Sequence, residues 1–214
     1  RITSKINDNS IAAGIRTEST GGWKFDLSNT FGKNKFQYDI KGTINASLEE
    51  NSPLQFDAGG HSLLQNTTNF DVSKNYGEVL GGLNIAFGAE FRMEQFKIFA
   101  GEEGSYTTYD TNGQPITDPT TQSAPTIPNP DYDPTDPDSS PTIPRPGSSQ
   151  GFPGYSPANE VNKDRTNFSL YTDAELDITE ALMVSGAVRF ENYSDFGSTL
   201  NGKLASRLKI TENI

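Results

Sequence analysis

The chain has 214 residues and a formal net charge of -11, which argues against a nucleic-acid partner because phosphate binding needs clustered Lys and Arg side chains. It contains no Cys and a single His, His61, so disulfides and thiolate metal sites are excluded and histidine-based metal centres are disfavoured. Only 32% of the residues are hydrophobic, yet 13 are Phe and 8 are Tyr, a combination that predicts half-buried strands with every second side chain facing water.

The first clear strands are predicted from an alternation of apolar and polar residues. Apolar side chains occupy every second position in residues 23–31 and again in residues 36–44. Between these runs lies Gly32-Lys33-Asn34-Lys35, whose Gly and Asn tolerate the positive φ of a tight turn. We therefore expect a β-hairpin here, with weaker strands at residues 10–18 and 66–75.

The same alternation continues towards the end of the chain. It covers residues 83–98, 167–178, 182–190 and 200–210, with a short turn at Thr179-Glu180-Ala181. Together, these runs predict an all-β chain of about eight antiparallel up-and-down strands, without a helix. No stretch approaches the roughly 18 consecutive apolar residues of a membrane-spanning helix, and the start at Arg1 lacks a signal-peptide profile, which predicts a mature or partial chain.

A proline-rich tract separates the two groups of strands. Residues 111–157 hold 12 of the 13 prolines, and the tetrapeptide Pro125-Thr126-Ile127-Pro128 recurs as Pro141-Thr142-Ile143-Pro144. Because proline lacks the backbone donor and has a fixed φ, the tract is predicted to be an extended surface loop of polyproline character. A segment that becomes ordered on binding a ligand is the alternative. The predicted division is strands in 1–100, the loop in 101–165 and strands in 166–214.

The predicted links between strands alternate in length. Short links are expected near 32–35, 76–81, 179–181 and 211–213, and long ones near 47–65, 100–165 and 192–198, with 19–22 as the exception. Short turns at one rim and long loops at the other are typical of outer-membrane β-barrels. Aromatic residues near the predicted strand ends fit the interfacial girdle of such a barrel: Trp23, Phe91, Phe190, Tyr193 and Phe196. A soluble β-sandwich used for binding or adhesion remains the alternative, because alternation does not distinguish lipid from a core.

Several segments resemble a known family. Residues 164–182 and 186–205, and above all Tyr193-Ser194-Asp195-Phe196-Gly197, closely resemble TonB-dependent receptors, in which an "R[YF]E[ND]YSDFGST" segment links adjacent barrel strands. Residues 84–92 resemble the "FGAEYR" strand of that family, and residues 22–60 resemble its mid-barrel region. The resemblance covers most of the chain outside the proline-rich loop.

The resemblance implies a transmembrane β-barrel of about 22 strands in the bacterial outer membrane, of which this chain would supply about eight. Such a receptor imports iron chelates, vitamins or glycans without catalysis. The implied partners are outer-membrane lipid, a plug domain, the remaining strands, the TonB complex reached through an N-terminal region, and the small ligand. The chain lacks the plug, the TonB-contacting box and the closing aromatic strand, so we expect a fragment that does not transport alone.

No catalytic, cofactor or metal site is predicted. The cluster Asp131, Asp133, Asp136 and Asp138 lacks the glycine and the terminal Glu of a calcium loop and is interpreted as solvated. His61 is predicted to lie in an extracellular loop, where contact with a ligand is the alternative to a His without a specific role. No pair of carboxylates suits acid and base catalysis, which argues against an enzyme. The candidate site is the polar face of the strands, predicted to line a water-filled lumen: Asn84, Glu90, Arg92, Asp173, Arg189, Lys203 and Arg207.

Overall fold

The computed structural model describes residues 1–210, and the fold is nearly all β, with 60% strand and 6% helix. The strands, in chain order, are β1 (Ile2–Glu18), β2 (Trp23–Lys41), β3 (Gln55–Tyr76), β4 (Gly82–Phe99), β5 (Thr126–Pro128), β6 (Thr142–Pro144), β7 (Val161–Asp177), β8 (Leu182–Tyr193) and β9 (Gly197–Leu208). The short 3-10 helices are Ala46–Asn51, Glu103–Ser105 and Pro157–Asn159. Within the described residues, no helix has the length and apolar character needed to cross a membrane.

Seven long strands form one antiparallel up-and-down sheet, in the order β1-β2-β3-β4-β7-β8-β9. The predicted all-β, up-and-down fold is therefore confirmed. The main sheet has seven strands, close to the expected count of about eight, and residues 1–210 form an open sheet with β1 and β9 at its edges and not a closed barrel.

The register separates the last strands into two faces. Leu170 lies opposite Phe190, which lies opposite Leu200, whereas Tyr171 lies opposite Arg189, which lies opposite Asn201. Because successive side chains of a strand point to opposite faces, one face is apolar and the other polar. We call them the apolar face and the polar face. Large residues of the apolar face are solvent-exposed: Phe87, Phe91, Phe168, Leu170, Val188, Phe190, Leu200, Leu204 and Leu208.

The predicted hairpin at residues 23–44 is wrong, because β2 runs without interruption through Gly32-Lys33-Asn34-Lys35. The apolar residues change from odd to even positions after Phe31, as they also would at a turn. In the structure, the even-numbered Tyr38 packs against His61, Phe152 and Tyr155, with ring centroids 5.1 Å apart for Phe152. The change reflects aromatic side chains from the long link 100–160 packing on the face that Tyr38 occupies.

Correcting β2 also changes the pattern of the links. Links 19–22, 77–81 and 178–181 are short and alternate along the chain with 42–54 and 100–160, which are long, so the link at 19–22 is no longer an exception. The last link, 194–196, is short rather than long. The predicted loop at 47–65 is wrong from Gln55 onwards, where β3 begins, and the predicted turn at 211–213 lies outside the described residues.

Two glycines near the start of β3, Gly59 and Gly60, led the sequence analysis to predict a loop there. Gly59 has a φ of 79°, and a Cβ placed on it would lie 2.4 Å from the backbone oxygen of Phe99. A residue with a side chain would be strained and would clash with β4. Gly59 therefore allows β3 to pass close to β4 at a position where the sequence suggested a loop.

The two Pro-Thr-Ile-Pro copies pair with each other. In the ribbon formed by β5 and β6, Ile127 lies opposite Ile143, and Thr126 and Pro128 lie opposite Pro144 and Thr142. The flanking residues supply backbone donors that the prolines lack: Asn129 N donates to Pro141 O at 2.9 Å and Arg145 N donates to Pro125 O at 2.7 Å. The tract thus differs from the predicted extended loop, because the repeat gives it a self-complementary strand pair.

Two compact units divide the chain. The first, called the loop unit, comprises Arg1–Asp8, Asn34–Leu63 and Phe96–Asn162, with Ile40, Phe56, Ala58, Tyr109 and Ala124 buried. The second, called the sheet unit, comprises Asn9–Lys33, Leu64–Gln95 and the described residues from Lys163 onwards, with Val72, Asn167 and Ser169 buried. The predicted division at residues 100 and 165 stays a prediction.

Candidate functional site

Three of the residues predicted to line a lumen form a charge network on the polar face of the sheet unit. Glu90 and Arg92 are alternate residues of β4, so both project from the same face. Arg92 Nη2 lies 2.7 Å from Glu90 Oε1, and Arg189 Nη2 of β8 lies 3.3 Å from the same oxygen. Glu90 therefore joins two arginines across the sheet.

The network continues onto β7 through residues that the sequence analysis did not select. Arg189 Nε donates to Glu191 Oε1 at 3.0 Å, and its Nη2 donates to Ser169 Oγ at 3.1 Å. Ser169 Oγ in turn donates to Asn167 Oδ1 at 2.6 Å. Each of these arginine donors has a carboxylate or hydroxyl acceptor, and such hydrogen bonds restrict the movement of the arginine side chains.

Two donors in the network have no protein acceptor within the described part of the chain. They are Arg92 Nε and Asn167 Nδ2, and Asn167 is only 2% exposed. A buried donor without an acceptor costs about 1–3 kcal/mol. Both therefore favour an additional acceptor at this part of the polar face.

The other four predicted residues lie outside the network. Asp173 and Lys203 both lie opposite Ala187 and so share its face, Arg207 lies opposite Met183, and Asn84 is a half-buried residue of β4. Within residues 1–210, none of these four makes an ion pair. The structure thus brings together Glu90, Arg92 and Arg189 only, and the lining of a lumen stays a prediction.

A second polar contact joins β7 to β3 across β4. Tyr171 Oη donates to Asp71 Oδ1 at 2.5 Å, and a Cβ on Gly88 of β4 would lie 2.7 Å from Tyr171 Cε1. The ring therefore passes over Gly88, which leaves room because it has no side chain. The alternation predicted the face of Tyr171 but could not predict a partner 100 residues away.

Aromatic rings group around the single His in the loop unit. His61 is stacked on Phe36, with centroids 5.3 Å apart and planes 5° apart, and the ring of Phe96 lies 6.4 Å from His61. His61, predicted to lie in a loop, is instead a half-buried residue of β3. Its position in this stack follows from the start of β3 at Gln55, where the sequence analysis predicted a loop.

The long link lines a cavity of about 780 Å³ within the loop unit, and this cavity is open to solvent. Its walls combine prolines, small hydroxyl residues, one tyrosine and one arginine: Tyr106, Thr107, Thr108, Ile116, Pro119, Gln122, Ser123, Ala124, Pro144, Arg145, Pro146 and Gly147. Among the walls, only Arg145 carries a full charge, and its Nε lies 3.2 Å from Glu49 Oε1. The sequence analysis missed this cavity because its walls come from three separate segments, within residues 106–108, 116–124 and 144–147.

Burial and hydrogen bonds alter the acidity of groups near this cavity. Burial raises the pKa of the Glu102 carboxyl, and burial together with the nearby Glu103 raises the pKa of Tyr109. Backbone donation from Gln114 lowers the pKa of Asp110. Asp110 is therefore held in its ionised form by the turn that it caps.

The acidic cluster at residues 131–138 lies beyond the ribbon and forms turns. Asp133 Oδ1 accepts from Thr135 N at 2.8 Å, and Asp136 Oδ1 accepts from Asp138 N at 2.9 Å. These carboxylates act as local acceptors in exposed turns. Across residues 1–210, no group of three or more His, Cys, Asp or Glu side chains is arranged to hold a metal ion.

Comparisons with known proteins give a structural match. No family model and no curated protein matches the sequence. Among solved structures, the siderophore receptor PiuA from Acinetobacter baumannii is similar over 99% of this chain, with a TM-score of 0.51 and 12% sequence identity. The chain covers 31% of the length of that receptor chain, so the likeness concerns only part of it. The chain therefore shares a fold with a part of this siderophore receptor.

Proposed function

We propose that the chain is part of the wall of an outer-membrane β-barrel receptor of the TonB-dependent kind, which takes up a small ligand without making or breaking a bond. The observation that carries this proposal is the apolar face, whose large side chains remain exposed. Leu170, Val188 and Leu204 are 47%, 46% and 91% exposed. The likeness to a siderophore receptor supports the same kind of protein.

The energetics of the apolar face favour a lipid environment. Burying one large apolar side chain stabilises a protein by about 1.5–3 kcal/mol, and soluble monomers rarely expose apolar patches larger than a few hundred Å². The apolar face extends over β4, β7, β8 and β9 and would lose that stabilisation in water. Contact with hydrocarbon chains restores it without a second protein layer.

The length of the strands fits this environment. The shortest long strands, β8 and β9, have 12 residues each and therefore a length of about 40 Å. At a tilt of about 35–45°, such a strand crosses a hydrocarbon core about 30 Å thick. Every long strand of the sheet can thus span the membrane.

The polar face fits a water-filled interior. Glu90, Arg92 and Arg189 pair with one another, yet two donors of the network still lack acceptors within the described residues. A plug domain enclosed by the barrel would supply such acceptors. The remaining strands, the TonB complex and a small ligand of the iron chelate, vitamin or glycan class complete the proposed set of partners.

A soluble β-sandwich is the competing proposal. It requires a second layer on the apolar face, whereas the seven long strands belong to one sheet and leave that face exposed in the described residues. The membrane proposal accounts for this exposure directly.

Two neighbouring residues of β8 test the proposal, because the chain has no native Cys. Val188→Cys lies on the apolar face, and Ala187→Cys lies beside it on the polar face. In washed membranes from a Gram-negative host, Ala187→Cys should react with a charged, water-soluble maleimide, and Val188→Cys only with a lipid-soluble one. Recovery of the protein in the soluble fraction, or reaction of Val188→Cys with the charged reagent at the rate of Ala187→Cys, would overturn the proposal.

A further inference from the structure

We propose that the cavity of the long link is a binding site for a hydroxylated carboxylic acid of the sugar-acid class, with Arg145 holding the carboxylate. The site lies wholly within the loop unit and shares no residue with the charge network of the polar face. The inference goes beyond the proposed function, because it requires neither a membrane nor transport.

The size of the cavity suits a small organic ligand. Its volume of about 780 Å³ lies within the range of about 300–1,000 Å³ found for small-molecule sites. Ala124 forms a buried part of the wall, and Pro119, Pro144 and Pro146 add apolar surface. Prolines have few conformations to lose, so this wall is largely formed before a ligand arrives.

The walls are held by hydrogen bonds from a buried 3-10 segment. Asn45, which is fully buried, donates through Nδ2 to Gly104 O and Thr107 O at 2.8 Å each. Ser47 Oγ accepts from Tyr109 N at 2.9 Å. Gly147 lies so close to Thr108 that a Cβ on it would meet Thr108 Oγ1 at 2.0 Å. The arrangement is therefore a built wall rather than a gap between mobile segments.

Charge selects the class of ligand. Arg145 is the sole Lys or Arg between Lys97 and Lys163, although this stretch contains nine carboxylates: Glu102, Glu103, Asp110, Asp118, Asp131, Asp133, Asp136, Asp138 and Glu160. Repulsion from exposed carboxylates is largely screened beyond about 8 Å at physiological salt, so contact with Arg145 decides whether an anion binds. A single cation suits a ligand with one carboxylate rather than a polyanion.

The guanidinium of Arg145 has donors available for this role. Its Nε lies 3.2 Å from Glu49 Oε1 without a hydrogen bond to it, and within the described residues its two terminal nitrogens donate to no protein acceptor, so a carboxylate can accept from both. Thr107, Thr108 and Ser123 contribute hydroxyls to the same cavity, the first two being half-buried and Ser123 exposed. A ligand that combines one carboxylate with several hydroxyls can satisfy both the fork and these groups.

Two backbone positions near the site support a built function. Glu49 and Ser148 have φ values of 51° and 59°, in the left-handed region that residues other than glycine rarely adopt. One is the partner of Arg145, and the other follows Gly147 in the cavity wall. Such strain persists only where the surrounding structure holds it in place.

Lactobionate and lactitol provide a matched pair of probes. Both join a galactose ring to a hydroxylated six-carbon chain, and they differ in that lactobionate has a carboxylate where lactitol has a hydroxymethyl group. Calorimetric titration of the purified full chain in detergent micelles should detect binding of lactobionate and at least tenfold weaker binding of lactitol.

Variants identify the residue responsible. Arg145→Ala should weaken lactobionate binding at least tenfold, and Arg145→Lys should weaken it less, because it keeps the charge and loses the fork. Lys163→Ala is the matched control, since it removes one exposed positive charge next to the link and should leave affinity unchanged. Thr108→Val, which removes one hydroxyl at nearly constant volume, tests the wall if Arg145→Ala does not fold.

Three results would overturn the inference: no binding of lactobionate, equal binding of lactitol, or undiminished affinity in Arg145→Ala or, where that variant does not fold, in Thr108→Val. None of them would alter the labelling of Val188→Cys and Ala187→Cys. The failure of this site is therefore distinguishable from the failure of the proposed function.

Discussion

Gly88 of β4 has no side chain, and this lets β3, β4 and β7 pack closely together. A Cβ at this position would lie 2.6 Å from Phe70 O and 2.7 Å from Tyr171 Cε1. The backbone oxygen belongs to β3 and cannot move without disturbing the sheet. The absence of a Cβ therefore permits both the close approach of β3 and the passage of the Tyr171 ring towards Asp71.

We expect Gly88→Ala to lower the free energy of unfolding in micelles by about 1–3 kcal/mol, because the added methyl group overpacks this contact. Gly32→Ala in β2 is the matched control. A Cβ at Gly32 meets no atom within 4 Å, so alanine should leave stability unchanged or raise it by about 0.5–1 kcal/mol. Urea unfolding of both variants measures the difference, and equal stability would contradict the role of Gly88.

Residue-scale prediction from the sequence was accurate for faces and weak for partners. Alternation correctly put Glu90 and Arg92 on one face of β4, and Arg189 among the polar residues of β8. It gave no indication that Glu90 joins both arginines, or that Ser169 and Asn167 extend the network, because the order of strands in the sheet was needed for that.

At the scale of elements, most strands could be predicted from the sequence. One predicted turn, at residues 32–35, does not exist, because β2 is continuous there. Strands β4, β7 and β8 follow from alternation with errors of a few residues at their ends. In β2, the apolar residues change from odd to even positions. A turn would give this pattern, and so would a continuous strand that packs first on one face and then on the other. Only the packing of Tyr38 against Phe152 and Tyr155 distinguishes them.

An insertion distinguishes a turn from a continuous strand. Adding Gly-Ser-Gly-Ser between Lys33 and Asn34 should prevent assembly of the sheet, because it interrupts the hydrogen-bonded ladder of β2 on both sides. The same insertion between Ser194 and Asp195, in the exposed turn after β8, should be tolerated. The fraction of protease-resistant protein in membranes measures assembly, and tolerance at Lys33 would support the hairpin.

The turns of the long link should depend on pH. Hydrogen bonds from Thr120 and Thr135 lower the pKa values of Asp118 and Asp133, as donation from Gln114 does for Asp110. A lowered pKa favours the ionised form in the folded turn, so its stabilisation is complete above the ordinary Asp value and is lost as pH falls through the lowered pKa. Glu102, whose pKa is raised by burial, contributes with the opposite sign.

We therefore expect pepsin to cleave the link faster as the pH falls below about 4, the ordinary Asp value. Asparagine can accept the same hydrogen bonds without titrating, so the triple variant Asp110→Asn, Asp118→Asn and Asp133→Asn should show a much smaller change over that range. Pepsin activity on an unfolded substrate at each pH provides the correction. An equal pH dependence in the triple variant would exclude these carboxylates as the cause.

At the scale of the whole molecule, composition indicated half-buried strands but could not say what covers the apolar face. Alternation is the same whether that face meets lipid or a second sheet. The structure shows a single seven-stranded sheet with the face exposed, and the cavity around Arg145 appears only after residues 106–124 and 144–147 fold together. Both the single sheet and the cavity depend on contacts between segments far apart in the sequence, and such contacts leave no local sequence signal.

Trp23, the single Trp, reports on the environment of the sheet. Its ring contacts Tyr76 and Phe87, with centroids 6.5 and 6.0 Å away, and Lys74 Nζ lies 5.5 Å from it. An aromatic residue beside a cation at a strand end is typical of a membrane interface. In lipid vesicles, its fluorescence should be quenched more by a nitroxide near the headgroups than by one at the acyl-chain end.

Trp23→Phe combined with Phe91→Trp supplies the comparison, because Phe91 is an exposed residue inside β4 and should be quenched more by the deeper nitroxide. Stronger quenching of both tryptophans by aqueous iodide than by either lipid probe would place the sheet in water.

The proline ribbon also limits its own growth. Each of its two strands begins or ends at a proline, and Pro125, Pro128, Pro141 and Pro144 have no N–H to offer to a third chain. A neighbouring copy would therefore find no continuous row of backbone donors along the ribbon. This exposed β-structure can thus persist at a densely packed surface without pairing with the strands of other molecules.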